Sequence, residues 1–254
     1  MNHRSPMAAK ASAESGAMID FKPVSELGAF VECLWYGKAA PALEPDFVIE
    51  PDGRVDAVLA YDGTNGEALA FGSTTVATRF SPKPGCDYLG IRLRPARSRV
   101  LVDERPTVLR NSRCRIEHVG GIDARMLLEC AAGARSGAKA LRAVAELLRP
   151  AVAGLDPRDT LASALVAHVE RRSGCVRVSD LAREAGMSER QLERLFVDAV
   201  GLPPKLFARI VRYQRVRAAL TSGERSGADL ALRFGYTDQS HLLRDLRALS
   251  VPGC

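Results

Sequence analysis

Paired cysteines are missing from this sequence. Its six cysteines, Cys33, Cys86, Cys114, Cys130, Cys175 and Cys254, are scattered without any Cys-x-x-Cys spacing, so neither a zinc finger nor a disulfide framework is expected. Long apolar runs are missing too, since no stretch approaches the roughly 18 apolar residues of a membrane span. The first twenty residues, MNHRSPMAAKASAESGAMID, lack the continuous apolar core of a secretory signal. The expected location is therefore the cytoplasm, with reduced thiols and no membrane partner. Histidine is scarce: His3, His118, His168 and His241 are the whole supply, and only His118 falls in the β-rich region. A metal enzyme needs at least two histidines and a carboxylate converging on one point, and no His-x-His, HExxH, P-loop or GxSxG pattern occurs. Asp52, Asp56, Glu44, Asp46 and Glu50 lie near turns and read as solvated or capping carboxylates. No metal, cofactor or catalytic residue is expected. A jelly-roll metal enzyme is the rival reading. A regulator fused to a reactive-cysteine repair domain is another, although the cysteines lack the clustered metal spacing it requires.

What is present is a chain of 254 residues, 46% hydrophobic and 26% charged, ordinary for one large or two smaller globular domains. Its net charge of +6 is unevenly placed. From Arg171 onward there are 15 Lys/Arg against 9 Asp/Glu, whereas the first 170 residues hold 21 of each. All the positive excess lies in the last third, as expected of a module held near phosphates.

Residues 1–20 are small and polar and read as a disordered tail. From 21 to about 119, short apolar runs (30–36, 55–61 and 88–93) alternate with turn clusters such as Pro51-Asp52-Gly53 and Asp62-Gly63-Thr64-Asn65-Gly66. This pattern predicts a small β-barrel or sandwich of jelly-roll type. From Ile122 the period becomes helical, with a break near 133–137. The stripe Met126, Leu127, Cys130, Leu141, Val144, Leu148 suits either a dimer interface or the core of one subunit. The β-rich unit with its trailing helices thus spans 21–150, a linker 151–158, and an all-α unit 159–254, giving an α+β chain.

The all-α unit opens with a helix over 161–172 and then shows the pattern around which it is organised. In Val178–Gly201, Leu181, Ala182 and Ala185 recur at helical spacing and Gly186 supplies a left-handed stop. Ser188 and Gln191 form a capping box that opens a second helix, where Leu192, Leu195 and Phe196 make the buried stripe. A short helix, a glycine turn and a capped helix with a basic outer face is the plan of a DNA-reading helix-turn-helix. After a linker helix over 204–222, the pattern returns at 227–249. Leu230-Ala231 match Leu181-Ala182 and Gly235 matches Gly186, each 49 residues on, while Leu242 matches Leu192 at 50. The first unit spans about 178–200.

Residues 160–249 resemble the C-terminal DNA-binding domain of the AraC/XylS family of bacterial transcription regulators. The resemblance rests on Leu181-Ala182, the run from Gly186 to Phe196, Gly201-x-Pro203, Arg212, Ala218, Leu220, Ala231 and Gly235-Tyr236-x-Asp238-x-Ser240-His241-Leu242. It implies two helix-turn-helix units on one linker helix, reading adjacent major grooves of promoter DNA. Base-facing positions then fall on Arg190, Glu193 and Arg194 in the first unit and on Gln239, Ser240, His241 and Arg244 in the second. Side-chain chemistry agrees, since Arg suits guanine, Gln adenine and Glu cytosine. A solvated face or a phosphate contact is the plain alternative for each, and His241 beside a core leucine also suits a structural role. Ser188 and Thr237 are read as helix caps whose amide ends hold phosphate, and Arg212 as a positioning residue. The β-rich part is more loosely similar to the sensor domains of such regulators, through Glu50-Pro51-Asp52-Gly53-Arg54-Val55-Asp56, Phe71-Gly72 and the run from Leu89 to Pro95. The family implies a small-molecule effector, with RNA polymerase and a second copy of the chain as further partners, and activators are among its members. Two departures stand out. Leu242 and Leu246 replace aromatic residues, which implies looser packing under the second recognition helix. Ser250-Val-Pro-Gly-Cys254 stands where the family continues into a Gly-x-x-Pro turn and a closing helix. An interaction module that has lost DNA binding is the reading this second departure leaves open.

Overall fold

The computed structural model describes residues 19–21, 26–39, 47–155, 160–224 and 226–250. Residues 1–18 of the expected tail and 156–158 of the expected linker thus lie outside the described residues, whereas Ile19 and Asp20 are in the first strand and 151–155 are described. The strands are β1 (Ile19–Phe21), β2 (Val31–Lys38), β3 (Phe47–Ile49), β4 (Asp56–Tyr61), β5 (Gly66–Phe71), β6 (Thr78–Phe80), β7 (Asp87–Leu93), β8 (Arg113–Arg115), β9 (His118–Val119) and β10 (Ile122–Asp123). The helices are α1 (Pro106–Leu109), α2 (Ala124–Ala132), α3 (Gly137–Val152), α4 (Leu161–Arg171), α5 (Val178–Glu184), α6 (Glu189–Val200), α7 (Pro204–Thr221), α8 (Gly227–Arg233) and α9 (Gln239–Leu249).

Six strands form one antiparallel sheet in the order β1-β2-β7-β4-β5-β8, and β3 pairs with β6 apart from it. The three apolar runs of the sequence are its adjacent strands β2, β7 and β4. Side chains alternate between the faces of a strand, and here both faces are buried. Leu34, Leu89, Ile91, Ala57 and Leu59 pack under α2 and α3. Cys33, Trp35, Tyr88, Val58 and Ala60 face the other way, toward Phe71 and Phe80. Burying each large apolar side chain contributes roughly 1.5–3 kcal/mol, so the two-sided sheet is the stable centre of this domain. The β-rich domain with trailing helices is therefore present, but its sheets are not closed into a barrel, because helices cover one face. Most of the 126–148 stripe is core of one subunit: Leu127, Leu141, Val144 and Leu148 are buried against the sheet, whereas Met126 is exposed and Cys130 half-buried. Helix α3 runs through Pro150 to Val152, past the expected start of the linker.

The C-terminal domain has two small cores strung on α7. The first gathers α4, α5 and α6 around Phe207, Ala208, Ile210 and Val211. The second gathers α8 and α9 around Val216 and Ala219. One helix thus serves both units, its N-terminal half inside one and its C-terminal half inside the other.

Candidate nucleic-acid interface

The first recognition helix, α6, is capped as its sequence requires. Ser188 Oγ accepts from the Gln191 amide at 3.3 Å, and Gln191 Oε1 accepts from the Ser188 amide at 2.8 Å. Leu192, Phe196 and Val200 are buried, and Gly201 ends the helix at φ 82°. Arg190, Glu193 and Arg194 lie on the exposed face. Their side chains make no hydrogen bond or ion pair with any described residue.

The second recognition helix, α9, differs at its start. Asp238, not Thr237, is the cap, its Oδ1 accepting from the His241 amide at 2.7 Å. Thr237 Oγ1 instead lies 3.4 Å from His241 Nδ1. The reason is one extra residue in the second turn: six positions separate Gly186 from Leu192, and seven separate Gly235 from Leu242. Gln239 and Ser240 are exposed, and the Gln239 amide lies against Gly227, where a Cβ would stand 2.6 Å from Nε2. Arg244 is exposed and donates to the Ser240 carbonyl of its own helix at 3.4 Å. His241 is half-buried and meets the Tyr236 ring edge-on, with centroids 5.2 Å apart.

Among the other arginines of the domain, Arg171, Arg172, Arg177 and Arg247 are exposed with no carboxylate partner among the described residues, and others are engaged by protein groups. Arg209 pairs with Asp245 at 2.9 Å. Arg212 is stacked 5.0 Å over the Tyr236 ring, within the second unit. Arg215 donates to the Glu170 carbonyl at 3.4 Å, and Arg183 pairs with Asp180 at 2.7 Å. Burial, then the charge of Asp245, pushes the Tyr236 phenol up to about 12. Among the described residues, four buried side-chain polar atoms lack a hydrogen bond of good geometry, and three of them (Arg212 Nε, Tyr236 Oη and Asp245 Oδ2) lie under α9, where the Tyr236 hydroxyl and the Asp245 carboxylate interact only loosely.

The β-rich domain packs against α4 and α7, and its helix α1 lies against α6. Glu50 accepts from the Tyr213 hydroxyl and pairs with Arg217 at 3.0 Å. The Pro51 carbonyl accepts from Gln214 Nε2 at 3.0 Å. Arg54 is buried between Glu32 of its own domain and Glu170 of α4, the latter at 3.1 Å. The last carbonyls of a helix have no partner within it, and here the β-rich domain supplies one for each recognition helix. Ser73 Oγ donates to the Val200 carbonyl at 3.3 Å, and the Ala77 amide to the Leu249 carbonyl at 2.8 Å. This face corrects the reading of Asp52, Asp56 and Glu50 as solvated or capping carboxylates. Asp52 and Asp56 share Arg92 at 2.8 and 2.9 Å, and Glu50 joins the domains. Arg92 within the apolar run of β7 and three charges within Glu50-Pro-Asp-Gly-Arg54 were the available signal, because a buried charge requires a partner. Glu44 and Asp46 lie outside the described residues. His118 is exposed on β9, and among the described residues no group of three or more His, Cys, Asp or Glu is placed to hold a metal ion. No described helix is long and apolar enough to cross a membrane.

Comparison with known proteins agrees with this division. Residues 181–250 match the model of a helix-turn-helix domain, and residues 19–115 that of a domain of unknown function, DUF6597. No curated protein matches the sequence significantly. Among solved structures, the chain is similar to ToxT from Vibrio cholerae O395, at 11% identity over 93% of this chain and 90% of that one, with a TM-score of 0.37. It is also similar to wild-type ToxT from Vibrio cholerae strain SCE256 bound to an unsaturated fatty acid, at 9% identity over 93% of each chain, with a TM-score of 0.36. The duplicated capped helices on a shared α7, together with the family match, identify residues 181–250 as a helix-turn-helix domain of the AraC type.

Proposed function

We propose that the chain is a sequence-specific transcription regulator that lays α6 and α9 into two adjacent major grooves of promoter DNA. The observation that carries this reading is the contrast between the arginines of α7 and those on the outer faces of α6 and α9. Arg209, Arg212, Arg215 and Arg217 are engaged within the protein, whereas Arg190 and Arg194 stand unpaired on the outer face of α6, and Arg244 bonds only to its own helix. Cations left without carboxylates on a capped helix are suited to phosphates and base edges. The spacing supports the same reading. Helix α7 has 18 residues, about 27 Å at 1.5 Å per residue. With the widths of the flanking helices added, this approaches the roughly 34 Å between successive major grooves on one face of DNA. The β-rich domain, packed on α4, α7 and the ends of α6 and α9, leaves Arg190, Arg194 and Arg244 exposed and is the part that responds to a small ligand or to association.

Footprinting on DNA fragments recovered by genome-wide mapping tests the proposal. The expected result is protection of two major-groove segments about one turn, or 10–10.5 base pairs, apart, with affinity falling steeply with salt. Equal affinity for every sequence, or no retention at low salt, would overturn it.

A further inference from the structure

The β-rich domain encloses a cavity of about 350 Å³ between the six-stranded sheet and the β3–β6 pair, within the size range of small-molecule sites. We propose that it is an effector site for a small organic cation, an amine on an aromatic or aliphatic body. We further propose that its walls carry occupancy to both recognition helices. This second part rests on the reading of the chain as a DNA-binding regulator.

The ligand class follows from the lining. Trp35, Phe71, Phe80 and Tyr88 form the apolar walls. Phe80 meets both Phe71 and Tyr88 edge-on, with centroids 6.0 Å apart. Trp35 lies flat over Gly90, where a Cβ would stand 1.9 Å from its ring. The floor is charged and buried. Asp52 and Asp56 share the single guanidinium of Arg92, and Trp35 Nε1 donates to Asp56 at 3.4 Å. With both carboxylates ionised the floor carries one negative charge beyond Arg92; burial raises the Asp52 carboxyl above the usual carboxylate range, and a cation in the cavity favours its ionised form. The neighbouring Arg54 does not compensate, because Glu32 and Glu170 already hold it. Arg79 and Arg113 also line the cavity, but both are exposed, so water and salt screen them while the buried excess is screened far less. Arg113 already stacks 5.7 Å over the Phe71 ring; the remaining aromatic faces, around a negative floor, attract a cation and repel a carboxylate.

The coupling follows from two wall segments that are each double-sided. In 49–54, Ile49 and Asp52 line the cavity, while Glu50, Pro51, Gly53 and Arg54 touch the DNA-binding domain. In 72–78, Gly72, Thr74 and Thr78 line the cavity, while Ser73 and Ala77 hold the last carbonyls of α6 and α9. Thr74 Oγ1 donates to the Glu50 carbonyl at 3.2 Å and ties the two segments together. A group that moves either wall moves the seats of both recognition helices at once.

Trp35 is the chain's single tryptophan, so its fluorescence reports the cavity directly in the full-length protein. The probes are phenethylamine, tyramine and cyclohexylmethylamine, each beside its alcohol and carboxylate counterpart. The amines are expected to change Trp35 emission saturably and to bind roughly tenfold more tightly than the alcohols, the scale of one desolvated cation–π or charge-assisted contact. The carboxylates are expected to give no saturable change, and Asp56→Asn to abolish the amine preference in a variant whose circular dichroism is unchanged. Alcohols or carboxylates binding as well as amines, or no saturable amine, would overturn the site. In the second arm, saturating amine is expected to shift affinity for a footprinted duplex by about fivefold or more, and the duplex to shift amine affinity by the same factor. Amine binding with no such shift would overturn the coupling alone. Amine binding by a protein that retains no DNA would overturn the regulator reading and leave the site standing.

Discussion

Glu50 and Arg217 meet across the join of the two domains, Oε1 to Nη2 at 3.0 Å, and the Tyr213 hydroxyl donates to the other oxygen of the same carboxylate. One side chain from the β-rich domain thus holds two from the helix that both helix-turn-helix units share. Glu50→Gln keeps the shape and removes the charge. The Tyr213 contact is buried and charge-assisted, a class worth about 1.5–3 kcal/mol, while the Arg217 contact is partly solvated and adds little. The expected loss in urea unfolding is therefore about 1–3 kcal/mol. Faster hydrogen exchange should appear in 49–54 and along α7, and an unchanged exchange pattern would count against Glu50 as a domain fastener.

Gly53 and Gly186 share a left-handed backbone, at φ 66° and 67°, but not their surroundings. A Cβ on Gly53 would stand 2.8 Å from the Phe207 ring, whereas one on Gly186 would meet nothing within 4 Å. Gly186→Ala should cost only the left-handed strain, about 1–2 kcal/mol. Gly53→Ala should cost that plus overpacking of about 1–3 kcal/mol. Equal losses on thermal unfolding would show that the contact between Gly53 and Phe207 is not tight in solution.

These relationships mark where sequence reading stopped. Periodicity and capping were legible because they are local: Ser188, Gln191 and Gly201 act on residues within four positions of themselves. The apolar runs that became β2, β4 and β7 were legible for the same reason. The open sheet was not, because nothing in a strand's alternation says whether helices or another sheet will cover a face. Asp238 was within reach, since aligning the repeat on Leu192 and Leu242 rather than on the glycines places the cap there. The pairings of Glu50 with Arg217 and of Arg54 with Glu170 join positions more than a hundred residues apart, and no local pattern encodes them.

The tyrosines give a pH test. All five are held above the usual phenol value, mainly by burial, with Tyr36, Tyr213 and Tyr236 pushed up to about 12. A phenol raised on folding contributes stability that is complete below the unfolded value of about 10 and is lost as pH rises through the folded value. Urea stability should therefore hold up to about pH 9.5 and fall between about 10 and 12. Phenolate absorbance should appear late and together with unfolding. A set of tyrosines titrating near pH 10 in the folded protein would contradict this burial.

The two helix-turn-helix units should differ in local stability. The first core buries thirteen apolar residues and the second seven, and three of the four buried polar atoms without a hydrogen bond of good geometry lie in the second. Fewer buried contacts and poorly satisfied polar groups both lower the free energy of local opening. Amide hydrogens of α8 and α9 are expected to exchange faster than those of α5 and α6. Equal protection would mean that the Ala77 contact at the end of α9 compensates for the smaller core.

Arg194 and Arg244 occupy the outer faces of separate recognition helices, and neither is paired with a carboxylate. If each makes a bidentate base contact, replacing either with alanine should weaken specific binding by about 1–3 kcal/mol while leaving random-sequence affinity nearly unchanged. Distant sites with no shared partner add to within about 0.5 kcal/mol, so the double variant should lose the sum of the two. If each helix reads its own groove, as proposed, each single variant should also lose base discrimination in only one half of the footprint. A loss that is the same on specific and random DNA would make the residue a phosphate contact. Loss of the whole footprint from Arg244→Ala alone would mean that the second unit positions the first rather than reading DNA itself.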